Sequence, residues 1–351
     1  MNHRPRQLSL GMWLVTLSAS LLAACTTTSQ WPLTSKEEKD LVWPAPPVEP
    51  RIAYVMSFTG AEDLGIKKRF LQRLRVLVSG KSEERLVRPM AVVESLGDRY
   101  LVADPGARGV HLFDRQRGRY QLIQRESGEP LPSPVGLDVG PLGEVYVTDS
   151  RLAALFVIKP GADVAREIQL DAILAQPTGV ALDEAGSRIY LVDTGSHEVK
   201  IFAPDGSLLR RVGGRGTAPG KFNYPTMIWM TRTGEFLVSD SLNFRTQMFD
   251  AEGDFLREFG APGDGAGFQP QSKGIATDSH GHIYVTDSVL HALQVFDASG
   301  AFLYRLGLRG VEPGEFWLPA GIFIGRDDMI FVADSYNRRI QVFRYTGGGT
   351  E

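Results

Sequence analysis

One cysteine, Cys25, stands in a chain of 351 residues. No intramolecular disulfide can therefore form, and the fold must hold by packing and hydrogen bonding alone. Lys and Arg number 38 against 41 Asp and Glu. This missing excess of positive charge argues against nucleic-acid binding, whose affinity rests on phosphate neutralisation. The 6 histidines supply no Ser-His-Asp spacing, and neither a phosphate-cradling loop nor a cofactor motif is present. What the chain has in quantity is turn residues, with 38 Gly and 21 Pro against an ordinary globular background of 43% hydrophobic and 23% charged residues.

Residues 1–24 carry Arg4 and Arg6 ahead of an apolar run from Leu8 to Ala24. That run is short for a membrane span, and its layout is that of a secretory signal. It ends Leu22-Ala23-Ala24-Cys25, which resembles a bacterial lipobox. The resemblance implies lipidation at Cys25. Because Thr26 and not Asp follows, it also implies sorting to the outer membrane, facing the periplasm. Loss of residues 1–24 removes two positive charges and no acid, so the net charge passes from −3 to −5. Residues 25–50, with five prolines, read as the lipidated Cys and a flexible tether. Trp31 and Trp43 are left open between the membrane interface and the domain surface.

From residue 51 onward the chain repeats. An apolar run ends in a small residue and an aspartate at Asp104, Asp149, Asp193, Asp240, Asp287 and Asp334, with steps of 45, 44, 47, 47 and 47. Two residues before each Asp is Val or Leu, and six and eight residues after it are apolar positions in strand alternation. Nine residues after it come Phe113, Ile158, Phe202, Phe249, Phe296 and Phe343. Upstream, Pro89, Pro134, Pro177, Pro225 and Pro319 open a strand of small residues, with Ser272 in their place in the fifth copy. Four strands per repeat at a period near 45 describe a propeller blade, and six copies make an all-β, six-bladed β-propeller. The sixth copy lacks a fourth strand, so the strand-like segment at residues 51–60 is expected to complete it and close the ring. Ile66 to Val78 reads as a short amphipathic helix with a basic face.

The segments Phe316-Trp317-Leu318-Pro319-Ala320-Gly321-Ile322, Phe331-Val332-Ala333-Asp334-Ser335 and Asn337 to Phe343 resemble NHL repeats, over about residues 51–345. The resemblance implies the propeller fold and no one function. The six Asp recur in every blade, so their expected role is structural, as acceptors of backbone N–H groups. A specific site belongs where the copies differ, and the loop after the Asp carries the variable residues Arg108, Arg151, His197, Phe244, Arg245, His291, Tyr336, Arg338 and Arg339. These form an expected cationic and aromatic rim suited to an anionic or peptide ligand. Peptide-amidating lyases share this fold and hold zinc with three histidines. Here His197 and His291 are equivalent two blades apart, with no third at that level, while Asn223, Asn243 and Asn337 read as turn residues and not as calcium ligands.

The expected function is that of an envelope lipoprotein, a monomeric propeller binding a protein, peptide or envelope component through its loop face. No catalytic residue, cofactor or nucleic-acid partner is assigned. The alternative is a Zn- or Ca-dependent hydrolase or lyase with its site at the channel mouth.

Overall fold

The computed structural model describes residues 41–67 and 84–347. Two strands come first, β1 (Val42–Trp43) and β2 (Ile52–Phe58). Blade 1 follows as β3 (Ala91–Ser95), β4 (Arg99–Asp104), β5 (Gly109–Asp114) and β6 (Arg119–Arg125), and blade 2 as β7 (Pro134–Val139), β8 (Val145–Asp149), β9 (Ala154–Ile158) and β10 (Val164–Ile168). Blade 3 holds β11 (Pro177–Leu182), β12 (Ile189–Asp193), β13 (Glu198–Phe202) and β14 (Leu208–Gly213), and blade 4 holds β15 (Pro225–Met230), β16 (Phe236–Asp240), β17 (Arg245–Phe249) and β18 (Phe255–Phe259). Blade 5 is β19 (Ser272–Thr277), β20 (Ile283–Asp287), β21 (Ala292–Phe296) and β22 (Phe302–Leu306). Blade 6 contributes only β23 (Pro319–Ile324), β24 (Met329–Asp334) and β25 (Arg339–Tyr345) from its own repeat.

Each repeat folds into an antiparallel sheet, and the first strands β3, β7, β11, β15, β19 and β23 pack in succession, β23 returning onto β3. The architecture is the expected six-bladed propeller. Blade 6 is completed as expected by β2, which pairs antiparallel with β25, Ile52 opposite Tyr345 and Phe58 opposite Ile340. Closure leaves β25 with a partner on both sides, which removes an edge open to aggregation.

Two expectations require correction or fall outside the description. Residues 41–50 are not wholly tether: Val42 and Trp43 pair with Ala53 and Ile52. The Trp43 ring meets Phe343 edge-on at 5.8 Å, so Trp43 lies against the domain. Cys25, Trp31 and most of the expected helix at 66–78 lie outside the described residues. One feature was not expected: β6 and β10 pair in parallel, Val164 opposite Gln124, which joins blades 1 and 2 into one sheet of eight strands.

The packing explains the repeat. The position nine residues after the Asp, Phe in five copies and Ile158 in the second, is buried in every copy, and Phe249 sits 5.1 Å from Phe236 and 5.5 Å from Phe222. Small residues on the innermost strands are dictated by crowding: a Cβ on Gly136 would lie 2.0 Å from the Thr178 carbonyl, and one on Gly274 would lie 2.7 Å from that of Ala320. The six Asp are all buried, and each accepts backbone N–H from the loop entering its own blade, with Asp104, Asp149 and Asp287 accepting also from the loop that follows. Asp149 takes Ser133, Arg151 and Leu152, and Asp287 takes Gln271, Val289 and Leu290. Asp334 takes Trp317 N–H with side-chain donors from Asn337, Arg339 and Gln341. Their sequence-expected structural role is what the fold requires of them, because a buried carboxylate needs donors.

Candidate functional site at the channel mouth

The loops after each Asp close in the same way. The fourth residue after the Asp, Arg108, Ala153, His197, Phe244, His291 or Arg338, has φ between 52° and 59° in all six blades. A non-glycine in the left-handed region is uncommon, so this recurrence is a designed turn and fixes where each side chain goes. The expected rim residues separate accordingly. Arg108, Arg151, Tyr336 and Arg338 are exposed, and Phe244 and His291 are half-buried.

The other three expected rim residues are corrections. His197 is buried, its Nδ1 accepting the Tyr224 N–H at 3.0 Å. Arg245 is buried, its Nε 2.9 Å from Asp240 Oδ2, its other nitrogens bonded to Glu258 and to the carbonyls of Ala218 and Lys221. Arg339 repeats this with Asp334 at 2.8 Å and the carbonyls of Glu312 and Glu315. These guanidinium groups are buried and spend most of their donors pinning the loop between blades.

His291 matches His197, its Nδ1 accepting the Leu318 N–H at 3.1 Å, and burial with the nearby Arg309 charge holds it below its ordinary pKa. Both histidines thus use one ring nitrogen on the backbone. Among the described residues no three His, Cys, Asp or Glu side chains converge as metal ligands.

Exposed Val87 lies on blade 1, and the aromatic and other apolar groups of this face cluster on blades 4 to 6. Tyr224, Leu242, Val289, Trp317 and Tyr336 are between 37% and 54% exposed. Trp317 and Tyr336 contact at 5.7 Å, and the Arg309 guanidinium sits 5.5 Å over the Trp317 ring. At the equivalent loop positions, blades 1 to 3 carry Gly106, Arg151 and Gly195.

At the centre of this face the channel opens into a cavity of about 410 Å³. The residue after the strand-opening Pro faces it in every blade: Met90, Val135, Thr178, Thr226, Lys273 and Ala320. Hydroxyls also line it, and three of them commit their protons to the next blade. Ser150 donates to the Pro177 carbonyl at 2.5 Å, Thr194 to Pro225 at 2.6 Å and Ser241 to Ser272 at 2.6 Å. Lys273 is half-buried, and among the described residues its ammonium has neither hydrogen-bond nor ion-pair partner. Burial pushes its pKa down, against the pull of Asp287. Sequence reading missed Lys273, although the signal existed: the fifth copy departs from Pro at Ser272, and the next residue is the one charged member of its column.

The opposite mouth is a cavity of about 550 Å³ lined by the far ends of the inner strands, including Trp229, Phe323 and Asp138. Asp138 Oδ2 accepts the Leu182 N–H of the neighbouring blade at 2.7 Å, and burial pushes its pKa up to about 7.

A family described as a 6-bladed beta-propeller matches residues 276–350. A search of curated proteins gave no match. Among solved structures, a structural genomics protein of unknown function from Bacteroides thetaiotaomicron is similar to this chain at 16% identity and a TM-score of 0.61, over 82% of this chain and 75% of that one. An auxiliary nutrient binding protein from the same organism is similar at 10% identity and a TM-score of 0.59, over 75% and 70%. A virginiamycin B lyase from Staphylococcus aureus is similar at 16% identity and a TM-score of 0.55, over 74% and 95%. At such identities the likeness is one of fold.

Proposed function

We propose that the protein is a binding module of the cell envelope, an NHL-type propeller lipidated at Cys25, that holds a protein or peptide partner on the face of its Asp-loops. The observation that carries this reading is the asymmetry of that face. Blades 4 to 6 present Leu242, Val289, Trp317 and Tyr336, with Arg309 over Trp317, and exposed aromatic and Arg groups together are the composition of interface hot spots. Apolar groups of this size left in water next to a cavity favour a partner that covers them. The similarity in fold to a nutrient binding protein is consistent with a binding role.

Two experiments test it. Cross-linking in whole cells should capture a partner with the parent protein, and Trp317→Ala with Tyr336→Ala should reduce its recovery while leaving the melting temperature within a few degrees. Undiminished recovery sinks the loop-face reading. Arg108→Ala and Arg338→Ala belong in the same series because both side chains are exposed, whereas Arg245 would report on the fold. For the address, Cys25→Ser should move the protein from the membrane fraction to the soluble one; retention in the membrane refutes lipid anchoring.

A further inference from the structure

We infer that the central cavity of the Asp-loop face is a small-molecule site for a monocarboxylate with an apolar chain, its carboxylate seated on Lys273 and its chain against Met90, Val135, Met227 and Ala320. This goes beyond the partner-binding reading; its anchor, Lys273, lies outside the partner surface, and the two share the rim residue Leu242.

Size comes first. About 410 Å³ lies toward the lower end of the range of ligand pockets, room for one small molecule and not for a folded segment. Charge comes second. Of the six side chains in the ring at this level five are neutral and one is Lys273. Its ammonium lies half-buried without an ion-pair partner among the described residues, although burying a charge is costly unless it is paired. The acid whose charge acts on it, Asp287, is occupied by three backbone N–H groups. An anion supplied by a ligand would complete the pairing.

A single cation selects the class of anion. A dianionic phosphate is normally held by several cations or by converging backbone N–H groups, and here the neighbouring N–H groups at Ser133, Gln176 and Gln271 already donate to Asp149, Asp193 and Asp287. A monoanion matches the one charge on offer. Polarity of the wall selects the remainder. Ser150, Thr194 and Ser241 direct their protons to carbonyls of the adjoining blade, which leaves the polar donors of the wall to Ser133, Gln176, Gln271 and Tyr224 at its edge. Met90, Val135, Met227, Leu242 and Ala320 supply apolar surface. An alkyl or similarly apolar chain is the complement.

The test is calorimetric titration of the full-length protein in detergent with hexanoate and octanoate, and with octylamine, 1-octanol and inorganic phosphate as comparison probes. Saturable binding of the carboxylates, tightening from hexanoate to octanoate and at least about tenfold stronger than the amine or alcohol, is expected, a factor of ten corresponding to about 1.4 kcal/mol. Lys273→Gln should weaken octanoate about tenfold or more, and Lys273→Arg should retain most of the affinity. Titrating the variant in the same detergent cancels partition into micelles. Phosphate binding as tightly as octanoate overturns the assignment, as does an octanoate affinity for Lys273→Gln within twofold of the parent, or no saturable carboxylate binding. Should Lys273→Gln fail to fold, the contrast between octanoate and octylamine on the parent protein decides alone. Trp317→Ala with Tyr336→Ala should leave the titration unchanged, which separates this site from the partner surface.

Discussion

Phe58 is the side chain through which ring closure can be measured. It belongs to β2, the strand that precedes the repeats, yet it is fully buried between blades, its ring 5.7 Å from Phe113 and 6.5 Å from Tyr100 of blade 1. Phe58→Ala deletes the ring while leaving β2 able to pair with β25. Removing a fully buried Phe costs about 3–5 kcal/mol, the transfer term plus the cavity left behind. The two aromatic contacts place the value in the upper part of that range. Urea unfolding followed by far-ultraviolet circular dichroism measures it, because an unchanged slope with a lower midpoint reports a loss of stability and not a change of mechanism. In a thermal scan the same loss lowers Tm by of the order of 10 °C. Ser57→Ala, one residue earlier and half-buried, is the control and should stay within about 0.5 kcal/mol. If Phe58→Ala and Ser57→Ala were indistinguishable, β2 would not be a stabilising part of blade 6, and the account of closure would be wrong.

Adjacent arginines should behave oppositely. Arg339→Ala leaves the Asp334 carboxylate buried without its cation and should cost about 3–5 kcal/mol, whereas Arg338→Ala should fall within about 0.5 kcal/mol by the same urea assay. Gly274→Ala should destabilise by about 1–3 kcal/mol, because its new Cβ meets two backbone atoms of blade 6 at 2.7 Å and neither can yield; a neutral result would show that the inner strands separate freely. Asp138 predicts a pH dependence. Its folded pKa of about 7 lies above the ordinary value, so between pH 4 and 7 the folded state binds more protons than the unfolded one and stability falls as pH rises. Asp138→Asn, which keeps an acceptor for the Leu182 N–H, should match the parent below pH 4 and exceed it progressively up to pH 7, by a few kcal/mol at most. A pH-independent difference would refute this.

Much of the fold was legible because a repeat multiplies weak signals. Each blade alone offers a short apolar strand, an Asp and an aromatic, but six gapless copies leave little freedom of interpretation. The missing fourth strand of copy six pointed directly to the segment that became β2. The candidate site was less legible. Arg245 and Arg339 resembled exposed loop cations because sequence shows that an Arg stands in a loop and not what it reaches. Asp240 and Asp334, five residues upstream, turn them inward. Lys273 stood out in its column, but its meaning was hidden for the opposite reason: it sits in a strand, and only the convergence of six strands makes its position a ring.

The sequence by itself determined the blade number, the structural use of the aspartates and the strand that closes the ring, since these follow from local periodicity and from counting strands. Only the tertiary structure decided which variable residues are free to bind. Whether an Arg is a rim group or a buried staple, and whether a Lys faces water or a shared cavity, depends on hydrogen-bond partners brought from 20 to 30 residues away or from the next blade. Those distances are set by how the blades pack, and no spacing along the chain encodes them.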